Sequence, residues 1–303
     1  IKDNVGENMR IINVIGGLGN QMFQCALAVA LREKFPDEIV KLDISHFNGY
    51  GLHNGFEVTE VFEKYPIAIA SKADCKKMTT YIPNYKWSRL CRRLFPKRKT
   101  EYLQSYKKSY LYDDAVFAQS GDCYFEGYWM SPKYFEFCRN EIIEAFEFAP
   151  FNTEQNKHFA ELLGADHSVS IHIRRGDYIN APNLKDICTL DYYRKSITEA
   201  KKHIPQPTFF IFSNDQEWCV ENLKDVLGNA EMHFVTNNKG RESYRDMQLM
   251  SLARCNILAN SSFSWWGAFL NRRQDQIVYV PSRWVNNLDD RDAYVEDWHK
   301  IEI

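Results

Sequence analysis

The segment Ser168–Tyr178, SVSIHIRRGDY, alternates Val169, Ile171 and Ile173 with Ser170, His172 and Arg174. An extended chain sets these two groups on opposite faces. The run reads as a strand, Val169–Arg174, that delivers His172 and Arg174 to one face just before the turn Arg175-Gly176-Asp177. Ligands of open α/β sheets bind at the carboxyl ends of strands. An arginine there suits a phosphate, because its planar fork donates two hydrogen bonds at once. The same residues also fit a plainer arrangement, a core histidine next to an arginine ion-paired with Asp177.

Three further segments could carry chemistry. Ser213-Asn214-Asp215 follows the apolar run Thr208–Phe212 and precedes a helical pattern, so Asp215 could accept hydrogen bonds from a sugar hydroxyl or a base. Ser213 with Gln216, or Asn214 with Glu217, equally satisfies capping-box spacing. Ser261, Ser262 and Ser264 cluster where a strand runs into a helix N-terminus, the positive end of its dipole. Trp265 and Trp266 behind them are expected to pack, with a sugar-stacking platform as the other reading. Gly16-Gly17-Leu18-Gly19-Asn20-Gln21 sits between a strand and a helix, where backbone amides can approach a ligand. It tempts a dinucleotide reading with Asp43 as the ribose acid, but Met22 replaces the third glycine.

The elements that must position these residues alternate regularly after residue 165. Strands are expected at Val169–Arg174, Thr208–Phe212, Glu231–Val235, Asn256–Asn260 and Gln276–Val280, with helices near 189–203, 215–226, 243–254 and 264–271. Apolar strands alternating with helices imply a parallel sheet covered on both faces. The N-terminal part opens the same way, with strand Arg10–Ile15, a helix from about Asn20 that Pro36 terminates, and strand Glu38–Leu42. Periodicity weakens beyond residue 50, and FAPFNTEQN at 148–156 has the composition of a boundary. The expected domains are 1–150 and 151–303, two α/β units facing a cleft.

Composition excludes several classes. The chain has 303 residues, 45% apolar and 26% charged, as expected of a globular protein. With 38 basic and 40 acidic residues, its net charge of −2 gives no reason to expect a nucleic-acid partner. The eight cysteines are scattered, without CxxC or Cys/His clusters, which fits reduced thiols in a cytoplasmic protein. No apolar run approaches the ~18 residues of a membrane span, and no signal peptide is recognisable. IKDNVGEN, at 1–8, reads as an extension before a native start at Met9.

The combination of motifs resembles the α-1,2-fucosyltransferases, glycosyltransferase family 11, in GGLGNQMFQ at 16–24, HIRRGDY at 172–178, FSND at 212–215 and NSSFSWWGAFLN at 260–271. The resemblance implies a GT-B fold and a GDP-fucose donor, with inversion at the anomeric carbon. It implies transfer of L-fucose from GDP-β-L-fucose to the 2-hydroxyl of a galactose-type acceptor. Arg174 would meet the donor diphosphate, with His172 beside it and Asp177 orienting the loop. Ser261, Ser262 and Phe263 would cradle the β-phosphate and Asp215 would lie by the guanosine, with Ser213, Asn214 and Ser264 also among the donor-binding residues. Gly17, Gly19, Asn20 and Gln21 would line the donor–acceptor junction from the N-terminal, acceptor-side domain. No metal is expected, because protein groups supply the positive charge.

The general base stays open among Asp177, Asp43 and Glu57, and Asp290 to Asp292 is expected to be solvated. Residues 86–108 hold nine basic residues against one acid, interleaved with Trp87, Leu90, Leu94 and Phe95. They read as a solvated basic face, or as a peripheral contact with an anionic membrane presenting a lipid-linked glycan. Two rival classes remain. One is a nicotinamide-dependent oxidoreductase using the Gly16–Gln21 turn. The other is a non-catalytic glycan-binding protein using the 17 tyrosines and seven tryptophans.

Overall fold

The computed structural model describes residues 8–303, so most of the expected N-terminal extension, residues 1–7, lies outside the described residues. The chain divides into two compact units. The first runs to Phe148 and also holds Arg291–Ala293; the second comprises Ala149–Asp290 and Tyr294–Ile303.

The first unit contains β1 (Met9–Asn13), α1 (Leu18–Lys34), β2 (Ile39–Asp43), α2 (Val58–Val61), β3 (Ala68–Ile69), α3 (Lys72–Met78), α4 (Tyr85–Leu94), β4 (Glu101–Leu103), β5 (Cys123–Glu126) and α5 (Arg139–Ala145). Its five strands are all parallel in the order β3-β2-β1-β5-β4, which puts β1 at the centre. Helix α1 begins at Leu18, two residues before its expected start, because the extended Gly17 serves as its N-cap. Met22, Phe23, Ala26, Leu27 and Ala30 are all buried, so α1 is a core helix. Each large apolar side chain so buried contributes roughly 1.5–3 kcal/mol. The weak periodicity beyond residue 50 reflects very short elements: α2 has 4 residues and β3 has 2.

The second unit contains α6 (Glu154–Leu163), β6 (Ser168–Ile173), α7 (Leu190–His203), β7 (Thr208–Ser213), α8 (Gln216–Leu227), β8 (Met232–Val235), α9 (Tyr244–Met250), β9 (Cys255–Ile257), α10 (Ser262–Phe269), β10 (Ile277–Pro281) and β11 (His299–Ile301). Its six parallel strands run in the order β11-β10-β9-β6-β7-β8. Alternation in β6 and β7 works as the sequence implies. Val169, Ile171, Ile173, Phe209 and Ile211 pack against α7 and α8, through Tyr192, Tyr193, Ile197 and Leu223. Phe210 and Phe212 pack on the opposite face, against Phe159 and Leu163 of α6 and Leu249 of α9. Ser170 and His172 share that second face.

Several boundaries differ from expectation. The helix expected to reach 254 stops at Met250, whose carbonyl accepts from Asn256 Nδ2 at 2.8 Å. The strand expected over Asn256–Asn260 is confined to Cys255–Ile257, and the chain then turns, with Ser261 N donating to Ala259 O at 2.8 Å. Helix α10 therefore starts at Ser262, with Ser261 as its cap. The Asp290–Asp292 stretch is also not simply solvated. Asp290 accepts from the backbone N–H groups of Trp284 and Val285, while Asp292 accepts from Tyr112 N at 3.0 Å and Lys133 Nζ at 2.6 Å. Among the described residues, no helix is long and apolar enough to cross a membrane.

Candidate active site

In the second unit, β9, β6 and β7 are adjacent, so the three segments singled out in the sequence emerge side by side at the carboxyl edge of one sheet. Ile173 pairs with Ser213, which fixes the Arg174 turn next to Ser213–Asp215. Past Ile173 the chain makes a single 3-10 turn, Gly176–Tyr178. Arg174 Nη2 lies 2.8 Å from Asp177 Oδ1, and the guanidinium carbon is 5.7 Å from the Tyr178 ring centroid. Both charged groups reach solvent, so the pair holds the arginine without burying it. Asp177 thus orients Arg174, as the plainer reading of the sequence also required.

His172 is buried. Burial, followed by repulsion from Arg174, pushes its pKa down to about 3, so the imidazole is neutral. Its Nδ1 is buried and has no hydrogen-bond partner among the described residues, and its ring lies 6.0 Å from that of Phe263. A neutral ring beside the arginine sets no second positive charge against the guanidinium.

Arg175 was not singled out, yet it is the residue that ties the strand ends together. Its backbone N–H donates to Asn214 Oδ1 at 3.0 Å and its Nε to Asp215 Oδ2 at 3.0 Å. Its guanidinium carbon sits 4.3 Å from the Trp218 ring centroid. Asp215 is itself the N-cap of α8, accepting from Trp218 N at 3.2 Å, while its own N–H donates to Ser213 Oγ at 2.9 Å. This corrects one expectation, since the cap is neither Ser213 nor Asn214, and each carboxylate oxygen of Asp215 already has a protein partner. Gly176 is packed so closely that an added Cβ would collide with the Asn214 amide. The signal for Arg175 was the second arginine of the pair, since adjacent residues past a strand end point in different directions.

After β9, Ser261 Oγ accepts from Phe263 N at 3.4 Å and its hydroxyl is hydrogen-bonded with the Tyr178 phenol oxygen. Ser262 and Phe263 are half-buried at the first turn of α10. Ser264 is different from its expected role, being fully buried with Oγ donating to Ala259 O and Ser261 O, each at 3.3 Å. It shapes the turn. Trp265 and Trp266 are fully buried and pack with Phe269, which leaves no stacking platform. A fourth strand end, that of β8, adds a cluster the sequence reading missed. Asn238 Nδ2 donates to Asp246 Oδ1 at 2.8 Å, and Asn237 Nδ2 to Asn156 Oδ1 at 2.7 Å. Burial raises the Asp246 carboxyl to about 7 against the lowering bond from Asn238.

In the first unit, Gly17, Gly19, Asn20 and Gln21 stand at the end of the central strand β1. Gln21 is fully buried and its amide is consumed: Nε2 donates to Gly16 O at 2.8 Å and Gly55 O at 2.7 Å, and Oε1 accepts from Glu57 N at 2.8 Å. Gln21 therefore clamps loop 48–57 to the glycine turn rather than lining a ligand. The clamp sets His53 over Gly17, where an added Cβ would come within 3.2 Å of His53 Cε1 and Nδ1. His53 is exposed and has φ 62, a left-handed conformation uncommon for a non-glycine residue. The other carboxylates considered as bases are buried: Asp43 accepts from Tyr124 Oη at 2.7 Å and Ser45 N at 2.9 Å, and Glu57 accepts from Asn54 Nδ2 at 2.9 Å.

The model of glycosyl transferase family 11 matches residues 96–302. An alpha-1,2-colitosyltransferase of Escherichia coli is 31% identical over 300 residues, covering 96% of this chain and 98% of that relative. The O-antigen biosynthesis glycosyltransferase WbnK of Escherichia coli is 29% identical, covering 93% and 97%. The galactoside alpha-(1,2)-fucosyltransferase 2 of Gorilla gorilla gorilla is 27% identical over 48% of this chain and 44% of its own. Among solved structures, the NodZ alpha-1,6-fucosyltransferase co-crystallised with GDP superposes with a TM-score of 0.50 at 14% identity, covering 87% of this chain and 92% of that one, a likeness of fold. Two parallel α/β sheets, a charged carboxyl edge and a family match across two thirds of the sequence agree, and the chain belongs to glycosyl transferase family 11.

Proposed function

We propose that this chain transfers L-fucose from GDP-β-L-fucose to the 2-hydroxyl of a galactose-type residue on a glycan, with inversion. The acceptor oxygen attacks the anomeric carbon, the bond from that carbon to the diphosphate breaks, the acceptor proton passes to a base, and GDP leaves. Charge grows on the diphosphate as this happens. A guanidinium held by Asp177 before the reaction stabilises that charge without reorganising. The observation that carries this reading is the meeting of the Arg174 turn with the α10 N-terminus across adjacent strands β6 and β9. Ser261, Ser262 and Phe263 fit the β-phosphate, because helix-terminal amides favour anions. Ser213 and Asn214, with the amide cluster behind β8, suit the nucleoside.

For the base, the reading turns to His53, an exposed imidazole at the end of β1 held in a strained backbone conformation by the Gln21 clamp. Gly17, Gly19 and Asn20 form the turn beneath it. The eight cysteines are all free thiols, which supports a reducing, cytoplasmic setting. The oxidoreductase reading loses its ribose acid, because Asp43 is buried under Tyr124. Trp129, Trp265 and Trp266 are fully buried and so offer a glycan-binding protein no stacking platform.

A second donor deserves testing because one relative is named for colitose, which is L-fucose without its 3-hydroxyl. The experiment is transfer to a β-galactoside from GDP-fucose and from GDP-colitose, read as GDP release and as an α-1,2 linkage by NMR. Faster turnover with GDP-fucose supports the reading. Preference for GDP-colitose replaces the sugar and keeps the mechanism, and a response to NAD(P) with no response to GDP sinks it.

A further inference from the structure

Helix α4 is amphipathic in the inverted sense. Its polar side faces the unit: Ser88 is buried, and Arg92 pairs with Glu101 at 2.6 Å and Glu126 at 2.8 Å. The expectation that Arg92 belongs to a solvated basic face is thereby corrected, since a cation between two carboxylates is part of the scaffold. The apolar side faces outward. Trp87, Leu90 and Leu94, at helical spacing, are 61%, 45% and 70% exposed, and Phe95 after them is 56% exposed. Lys86, Arg89, Arg93, Lys97, Arg98 and Lys99 are exposed around this stripe, and no acidic residue occurs between Asn84 and Thr100.

We propose that α4 and the Phe95–Lys99 segment form a docking surface for an anionic phospholipid bilayer. The four apolar side chains enter the boundary between headgroups and acyl chains, and the surrounding lysines and arginines meet the lipid phosphates. Charge decides the occupant. A second copy of this chain packed on the same stripe would set like cations against one another, since a two-fold contact is self-complementary. A nucleic acid would satisfy the cations and leave the outward apolar stripe in water. An anionic bilayer satisfies both at once.

The experiment is co-sedimentation of the full chain with vesicles containing phosphatidylglycerol, compared with pure phosphatidylcholine. Binding is expected to the anionic vesicles only, and to weaken with added salt. A Trp87→Ser, Leu94→Ser, Phe95→Ser variant is expected to lose about tenfold or more of the partition, with sugar transfer to a soluble acceptor unchanged. An Arg93→Gln, Lys97→Gln, Lys99→Gln variant retains the stripe and keeps the test decisive if the first variant folds poorly. It is expected to lose roughly fivefold per cation removed. Failure of the native chain to bind anionic vesicles overturns the proposal, as does equal binding by the charge variant. A dimer in solution that the serine variant dissociates, without vesicle binding, assigns the surface to a second copy. None of these outcomes depends on the identity of the sugar donor.

Discussion

Arg175 Nε stands 3.0 Å from Asp215 Oδ2, so the residue after Arg174 ties the end of β6 to the cap of α8, while Arg174 is ion-paired with Asp177. Two adjacent arginines thereby take different work, one positioning the sheet edge and the other presenting its guanidinium there.

Substitution separates the two. Arg174→Ala is expected to lose roughly 10²-fold or more in turnover with little change in melting temperature. Arg174→Lys is also expected to be poor, because an ammonium cannot reproduce the fork. Arg175→Ala is expected to lower stability by about 1–2 kcal/mol, through the lost carboxylate partner and the lost Trp218 contact, and to raise the KM for donor. Denaturant titration and steady-state kinetics on both variants check this, and near-normal turnover of a folded Arg174→Ala would remove it from the mechanism.

Gly176→Ala forces a methyl group against the Asn214 amide that receives the Arg175 N–H. Either the turn or the Asn214 side chain that holds it must shift, and the expected result is weaker binding of GDP by about tenfold, since a misplaced turn carries Arg174 with it. Calorimetric titration with GDP reads it, and unchanged affinity would show that the turn tolerates the methyl group.

Gly17→Ala and His53→Ala both probe the imidazole over the glycine turn. Gly17→Ala should displace the ring, and His53→Ala should cost about 10²-fold or more in turnover, as for loss of a general base. The distinguishing readout is partial rescue of His53→Ala by added imidazole with GDP affinity unaltered. Absence of both rate loss and rescue returns the base to the unassigned groups.

Asp246 makes stability depend on pH. Its carboxyl is raised to about 7 in the folded state by burial, from an ordinary value of 3.8. Between these values the folded chain holds a proton that the unfolded chain has released, so stability falls as pH rises through the window, by on the order of a few kcal/mol. Asp246→Asn retains an oxygen for Asn238 and should flatten the dependence and stabilise the protein at neutral pH. Urea midpoints measured across this range for both proteins test it, and parallel curves would refute it.

Arg92 faces Glu101, whose side chain has no solvent exposure. Burial would raise the Glu101 carboxyl, but hydrogen bonds from Thr79, Arg92 and the Arg98 N–H outweigh it and hold it below its ordinary value. That stability is present above the ordinary carboxylate range and is lost as pH falls through the lowered value. Arg92→Ala should cost about 3 kcal/mol, because it strands a buried carboxylate. A melting temperature equal to the native one would show that water replaces the guanidinium.

What the sequence determined is local. A period of two set Val169, Ile171 and Ile173 against one helical layer and His172 toward the other, and polar residues after each apolar run marked the strand ends at Arg174, Ser213 and Ser261. Short elements such as β3 carried too few residues for any period to register. The tertiary structure decided which strands are neighbours, and therefore that those three ends meet on β9-β6-β7. It also decided which polar groups are already satisfied. Gln21, Ser264, Asp215 and Asp292 all look available in the sequence, and each is bonded to protein partners supplied in part by residues beyond its own helix or turn. Side-chain periodicity is a property of a few consecutive residues, whereas a hydrogen-bond partner 34 to 180 positions away, as for Gln21 and Asp292, is a property of the folded chain.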